Sequence, residues 1–278
     1  MESGVVSDPL EPDRPLVAID VGNTRIKLGL FERRADRRWP ECREFTAIPR
    51  SGSVPWNLLA RWAGGEMLPT VIGGSHPAII EQLQRDWANQ RWPAPLVIRN
   101  FTSLPIDVDV DVPERVGLDR LLNAVAVNEF RPAGTSAVIV DAGTAINIDV
   151  VNPAGAFAGG AILPGLALGA RALHEYTALL PWLGPEELRG DAPAAIGRNT
   201  RAAMQSGLRW GFAGAVRELV QRMTAETGLA HSPCLVLTGG DGGLLTEMFP
   251  EARYFPSLAM HGLALCAWHR NEERASDV

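Results

Sequence analysis

Two short turns carry the residues whose types and spacing could do chemistry. In residues 16–30, LVAIDVGNTRIKLGL, an apolar run ends in Asp20, the turn Val21-Gly22-Asn23-Thr24 follows, and Lys27 lies just beyond. A carboxylate at the end of a buried strand, followed by glycine and two small hydrogen-bonding residues, lets backbone N–H groups approach an anion while Asp20 faces the site. Lys27 adds one positive charge. Neither G-x-x-x-x-G-K-[ST] nor G-x-G-x-x-G is present, so neither common phosphate fingerprint applies. Taken alone, the stretch is explained equally well by an ordinary hairpin with Gly-Asn at its tip. The second turn, in residues 137–151, AVIVDAGTAINIDVV, repeats the pattern: an apolar strand delivers Asp141 to Ala142-Gly143-Thr144-Ala145. Two copies of strand, Asp-x-Gly-[Asn/Thr] and strand predict two similar half-molecules, each presenting an acidic turn to a shared cleft.

Those turns need elements to position them. In the first half, a third strand is expected at 43–48, helices at 56–64 and 77–90, and strands at 70–73 and 96–98. His76, just before the second of these helices, reads as a capping or turn residue. IDVDVDV at 106–112 alternates as an edge strand would. Residues 121–130 carry Leu121, Leu122, Val125 and Phe130 on one helical face. In the second half, glycine-rich 155–165 permits close backbone approach. A helix at 166–176 and a loop at 178–183 follow, then a long helix opening at 193–200 and running to 228. Strands at 233–237 and 254–256 precede a final helix at 258–268. Residues 1–14 lack hydrophobic period and read as a disordered leader, and 271–278 as a frayed tail. The expected division is 15–132 and 133–270.

The composition sets bounds. The chain of 278 residues is 46% hydrophobic and 21% charged, enough for a core in each half, and its net charge of −6 argues against a main business of gripping nucleic acid. Cys42, Cys234 and Cys266 are widely spaced with no C-x-x-C, so neither a disulfide framework nor a thiolate zinc site is expected. No apolar run approaches the roughly 20 residues of a membrane helix. A reducing cytoplasm, with no nucleic-acid or membrane partner, is the inference.

In order along the chain, Asp20-Val-Gly-Asn-Thr24 with Lys27, Gly117-Leu-Asp-Arg120, Asp141-Ala-Gly-Thr144, Gly159-Gly160-x-x-x-Pro164-Gly165, Gly197-x-x-Thr200 and Thr238-Gly-Gly240 resemble the type III pantothenate kinases. That family belongs to the acetate kinase, sugar kinase, Hsp70 and actin superfamily. The resemblance runs from about Leu16 to Ala267. It implies an α/β protein of two ribonuclease H-like (actin-like ATPase) domains with mixed sheets flanked by helices. It also implies ATP-dependent phosphorylation of pantothenate to 4′-phosphopantothenate, the first step of coenzyme A synthesis, by a homodimer. A related small-alcohol kinase and a catalytically weakened, transcription-accessory relative are the alternatives.

The resemblance carries roles with it. Asp20, Gly22, Asn23, Thr24 and Lys27 would hold ATP phosphates, with Asp20 orienting Mg²⁺ through water, and Thr144 would bind ATP from the other half. Asp119 would be the catalytic base. Gly117, Leu118, Asp119 and Arg120 would contact pantothenate, with Thr200 reaching that of the neighbouring subunit. Asp141 would hold a monovalent cation, K⁺ or NH₄⁺. By themselves, Asp119 and Arg120 are ordinary residues for a helix start. The chain departs from the family at Val110, where an aromatic residue is usual, and at Ile146 and Asn147, where threonines are usual.

Overall fold

The computed structural model describes residues 14–34, 37–90, 92–227 and 233–276, so the expected leader lies almost wholly outside the described residues. The chain divides into two compact units, one comprising residues up to Phe130 together with Leu258 onward, the other Arg131–Ser257.

In the first unit, β1 (Leu16–Val21) and β2 (Arg25–Arg34) form the expected hairpin, and β3 (Arg37–Pro49) extends it on the far side of β2. β4 (Thr70–Gly74) and β5 (Leu96–Val97) add in parallel on the other side of β1, giving the order β3-β2-β1-β4-β5. β1 is buried on both faces, as its unbroken apolar run requires. Strand alternation divides its side chains. Val17, Ile19 and Val21 pack with Leu59 of α1 (Trp56–Trp62) and with Ile80, Leu83 and Trp87 of α2 (Pro77–Ala88). The opposite face, which carries Asp20, is covered by α3 (Leu118–Asn128) and by the last helix.

In the second unit, β6 (Ala137–Ala142) and β7 (Ala145–Val151) repeat the hairpin, and β8 (Phe157–Pro164) continues it. β9 (Cys234–Thr238) and β10 (Arg253–Phe255) add in parallel on the other side, giving β10-β9-β6-β7-β8. Read from its third strand, this is the same order as in the first unit. The helices are α4 (Leu166–Glu175), α5 (Pro185–Arg189) and α6 (Thr200–Glu226). Phe212, Ala213, Val216 and Val220 of α6 pack on Val138, Val140, Ile146 and Ile148.

At five places the structure departs from the sequence expectations or adds to them. The final helix, α7 (Leu258–Ser276), does not complete the second half: it packs on α3 and β1 of the first unit, and Gly262 admits the backbone of Leu122 so closely that a Cβ there would lie 2.0 Å from its carbonyl oxygen. It also runs through most of the stretch expected to fray. Residues 106–112 keep their alternating exposure but form only an isolated bridge at Val108, because alternation specifies an extended chain and not a partner. Glycine-rich 157–164 is a full strand, its Gly160 required by the close approach of β7, where a Cβ would fall 2.1 Å from the Ile148 carbonyl oxygen. Residues 178–183 lie outside helix and strand, as expected, and the residues after them, to which no element was assigned, form the short helix α5. The long helix opens at Thr200 and not before it, since Asn199 caps it, its Oδ1 accepting from Ala202 N at 2.9 Å.

Candidate functional site

In the first unit, the turn between β1 and β2 is closed by Gly22 N donating to Arg25 O at 3.0 Å. A Cβ at Gly22 would stand 3.2 Å from that same oxygen, so a larger residue would need the Arg25 carbonyl to give way slightly. Gly22 is half-buried, whereas Asn23 and Thr24 are exposed at the tip. Asp20 and Lys27 are register partners across the hairpin, and Lys27 Nζ lies 3.5 Å from Asp20 Oδ2. Asp20 is 4% exposed. Its burial pushes the carboxyl above its ordinary range; the charge and hydrogen bond of Lys27 oppose this, and the nearby charge of Asp119 adds to it. A buried carboxylate whose ionised form is costly is suited to a cation that supplies the missing charge.

Asp119 enters from the first turn of α3. Its Oδ1 accepts from Arg120 N at 3.0 Å, which fixes the rotation of the carboxyl. Gly117 precedes the helix, and a Cβ there would come within 2.6 Å of Asp119 Oδ1. Asp119 and Arg120 are half-buried, while Leu118 is buried. Leu118 anchors this corner: its Cδ2 lies 3.5 Å from where a Cβ on Gly73 would stand, and Gly73 is the β4 register partner of Asp20. Parity and packing therefore bring Asp20, Lys27 and Asp119 to one end of one sheet.

The second unit repeats this construction with different chemistry. Gly143 N donates to Ala145 O at 3.0 Å, closing the turn after Asp141, and Thr144 is exposed at its tip. Thr144 O accepts from Gly165 N at 3.0 Å. The neighbouring strand β9 is followed by Gly239 at φ +85°, where a Cβ would strike Ala142 O at 2.4 Å and Asp141 Oδ1 at 2.6 Å. The register partner of Asp141 is Asn147, so this unit lacks the lysine that faces Asp20 in the first. Ile146 is fully buried in the core with Val140 and Leu237, so the side chain that stands in place of a usual threonine lies among apolar groups. Thr200 is exposed at the start of α6. The backbone before that helix turns tightly enough that a Cβ on Gly197 would lie 2.2 Å from Ala203 N.

Sequence reasoning missed several residues beside these turns. Arg50 Nη1 donates to Asn23 O at 2.8 Å, and Arg50 N donates to Thr24 O at 3.2 Å, tying the first turn to the end of β3. The signal was the length of β3: once Pro49 pairs with Arg25, the next residue returns to the hairpin tip. Asp241, 3% exposed, donates from its backbone N to Ala142 O at 2.9 Å and pairs through Oδ1 with Arg189 Nε at 2.6 Å. No sequence spacing links residues so far apart. Among the described residues, no group of three or more His, Cys, Asp or Glu side chains could by itself hold a metal ion, and no helix is long and apolar enough to cross a membrane.

Two five-stranded mixed sheets of one topology, each ending its central hairpin in an aspartate-glycine turn, define the fold shared by actin-like ATPases and sugar kinases. Solved structures agree on the fold. A putative Baf family transcriptional activator from Campylobacter jejuni matches with TM-score 0.56 at 17% identity, covering 94% of this chain and 100% of that one. The activator of 2-hydroxyisocaproyl-CoA dehydratase from Clostridium difficile, with bound ADPNP, matches with TM-score 0.55 at 14% identity, covering 95% and 98%. The sequence narrows the class. Residues 16–222 match the family model of type III pantothenate kinase. The chain is 34% identical over 255 residues to a type III pantothenate kinase of Thermomicrobium roseum, covering 89% of this chain and 95% of that one. It is 40% identical over 201 residues to one of Gluconobacter oxydans, covering 71% and 70%. The chain belongs to the type III pantothenate kinase family.

Proposed function

We propose that this chain transfers the γ-phosphoryl group of ATP to the primary hydroxyl of pantothenate, giving 4′-phosphopantothenate for coenzyme A synthesis. The observation that carries this reading is the convergence of Asp20, Lys27 and Asp119 at one end of the first sheet, with Asp119 close enough to raise the cost of ionising Asp20. In phosphoryl transfer the protein's part is positioning and charge neutralisation. The Gly22-Asn23-Thr24 turn, its Gly22 amide spent on Arg25 O and its tip at Asn23 and Thr24 open to solvent, holds the β- and γ-phosphates together with the ammonium of Lys27. Asp119, its carboxyl fixed by Arg120 N, accepts the proton of the attacking hydroxyl. Arg120 and the neighbouring backbone of Gly117 and Leu118 bind the remainder of pantothenate. Thr144, at the tip of the turn after Asp141, is a further ATP contact.

The buried, cation-demanding carboxylate of Asp20 fits Mg²⁺, held directly or through water. Bound there, Mg²⁺ would neutralise phosphate charge. Asp141 is a half-buried carboxylate without a facing lysine, which suits a weakly held monovalent cation, K⁺ or NH₄⁺, completed by carbonyl oxygens and water. The working unit is a homodimer. Supporting this, Tyr176, Leu179 and Ile196 are 85%, 90% and 81% exposed on the segment that leads to Thr200. Large apolar side chains left in water favour a covering surface, and a second copy would bring Thr200 to its neighbour's pantothenate. The three free thiols accord with work in the cytoplasm.

The test is ATP-dependent phosphorylation of pantothenate in Mg²⁺ and K⁺, run beside Asp119→Asn. Turnover by the wild type and a loss of about 10²–10⁴ in kcat in the variant are expected. Folded wild-type protein that binds ATP without phosphorylating pantothenate would refute the reading.

A further inference from the structure

The two units are built alike at one more place. In each, a glycine of positive φ stands at the end of the strand parallel to the aspartate strand: Gly74 at +133°, the last residue of β4, and Gly239 at +85°, the residue after β9. In each, a Cβ on that glycine would strike the carbonyl oxygen of the residue after the aspartate at 2.4 Å, Val21 O in the first unit and Ala142 O in the second. In each, that same carbonyl accepts a backbone N–H from the turn that follows: Ser75 N to Val21 O at 3.0 Å, and Asp241 N to Ala142 O at 2.9 Å. The first-unit turn, Gly74-Ser75-His76, thus lies directly against the Asp20 hairpin.

Its side chains are unusual. Ser75 Oγ and His76 Nδ1 are both buried from solvent, and neither has a hydrogen-bond partner among the described residues. His76 is the N-cap residue of α2, as expected, its carbonyl accepting from Ile79 N and Ile80 N, but its side chain makes no cap hydrogen bond. Buried donors and acceptors left unpaired are costly, and native proteins keep them where a ligand, an ion or a bound water completes them. The Ser75 N–Val21 O bond joins this turn to the hairpin that, on the reading above, holds a phosphoryl group.

We propose that Ser75 Oγ and His76 Nδ1 hydrogen-bond the γ-phosphoryl group, making the β4–α2 turn a second phosphate contact of the first unit beside Gly22-Asn23-Thr24. This rests on the reading that the Asp20 turn holds that group. Ser75 donates its hydroxyl proton to a phosphoryl oxygen, and His76 donates from Nδ1–H as that tautomer. Their contribution is confined to ligands that carry a γ-phosphoryl group.

The experiment compares dissociation constants of ADP and of β,γ-imido-ATP in Mg²⁺ for the wild type, Ser75→Ala, His76→Phe, His76→Asn and Lys27→Ala. Thermal midpoints and pantothenate turnover are measured on the same preparations. The wild type prefers the imido analogue. Ser75→Ala and His76→Phe each lose about tenfold of that preference, the loss expected for one hydrogen bond to a charged group, with ADP affinity unchanged. His76→Asn, which keeps a polar atom near the Nδ1 position, retains most of it. The midpoint of Ser75→Ala is not lowered, because an unpaired hydroxyl is removed. An unchanged preference in Ser75→Ala and His76→Phe overturns the proposal, and a lowered midpoint with unchanged preference assigns the turn to folding alone. Lys27→Ala separates the levels: if it keeps the full preference, the phosphate reading of the Asp20 turn fails and this proposal with it. Loss of preference in both Lys27→Ala and Ser75→Ala, without pantothenate turnover by the wild type, would uphold the contact and refute only the substrate.

Discussion

Asp20 is expected to be a residue the protein keeps at the expense of its own stability. At 3.5 Å and an effective dielectric constant of about 20, Lys27 attracts the ionised carboxylate by roughly 5 kcal/mol. Burial of a charge costs several kcal/mol, and Asp119 adds repulsion. The upward direction of the Asp20 pKa says that the opposing pair wins, so in the absence of metal the charge is a net burden. Asp20→Asn keeps the shape and an oxygen for Lys27, whose side chain is 31% exposed and stays hydrated. The difference of two comparable quantities is taken as about 1–2 kcal/mol in favour of Asn, a rise of about 2–8 °C in unfolding midpoint.

The sign with pH follows. A carboxyl whose folded pKa is raised contributes most below its unfolded value and loses that contribution as pH rises through the folded value. The advantage of Asn should therefore vanish below the ordinary value of 3.8 and grow as pH rises above it. The assay is thermal unfolding of both proteins in metal-free buffer across pH, repeated with Mg²⁺ and ATP. The wild type should gain midpoint from Mg²⁺ and ATP, and the variant should gain much less. A variant less stable than the wild type at neutral pH, or an advantage that persists at acid pH, would refute the reasoning.

Other outcomes follow from packing. Gly160→Ala should cost about 3 kcal/mol or more, because its Cβ would overlap the Ile148 carbonyl and the Asp149 carboxylate across the β7–β8 ladder. Gly211→Ala, in the middle of α6 with open space around it, should instead gain about 1 kcal/mol, and denaturant titration reads both. Arg189→Ala leaves buried Asp241 without its ion-pair partner. The cost should be about 1–2 kcal/mol, discounted because the guanidinium is half exposed, with Asp241→Asn in the same chain recovering most of the stability. Burial pushes the Cys42 thiol to about 11 and the Cys266 thiol to about 12, and raises Cys234 as well. At pH 8 all three should resist alkylation in the native protein and react on unfolding, as mass spectrometry would show.

The sequence by itself determined the two aspartate-glycine hairpins, their duplication, and the helices whose apolar faces recur at helical spacing. Those are local signals: an apolar run, a small-residue turn and a period are written in neighbouring residues. Residues 106–112 show the limit, since perfect alternation specified an extended chain and no ladder formed. β8 shows the converse, a strand whose glycines weaken its propensity yet are demanded by the backbone opposite. The tertiary structure alone decided which helix covers Asp20. α7 reaches the first unit only because Gly262 lets it sit against α3 and because Met260 and Leu263 fill the space above Gly29 and Gly73. The same holds for Arg50 beside Asn23, Arg189 on Asp241, and the buried Ser75 and His76 beside Val21. Each depends on strand register and on close approach between segments distant in the chain, and no spacing along the sequence encodes that.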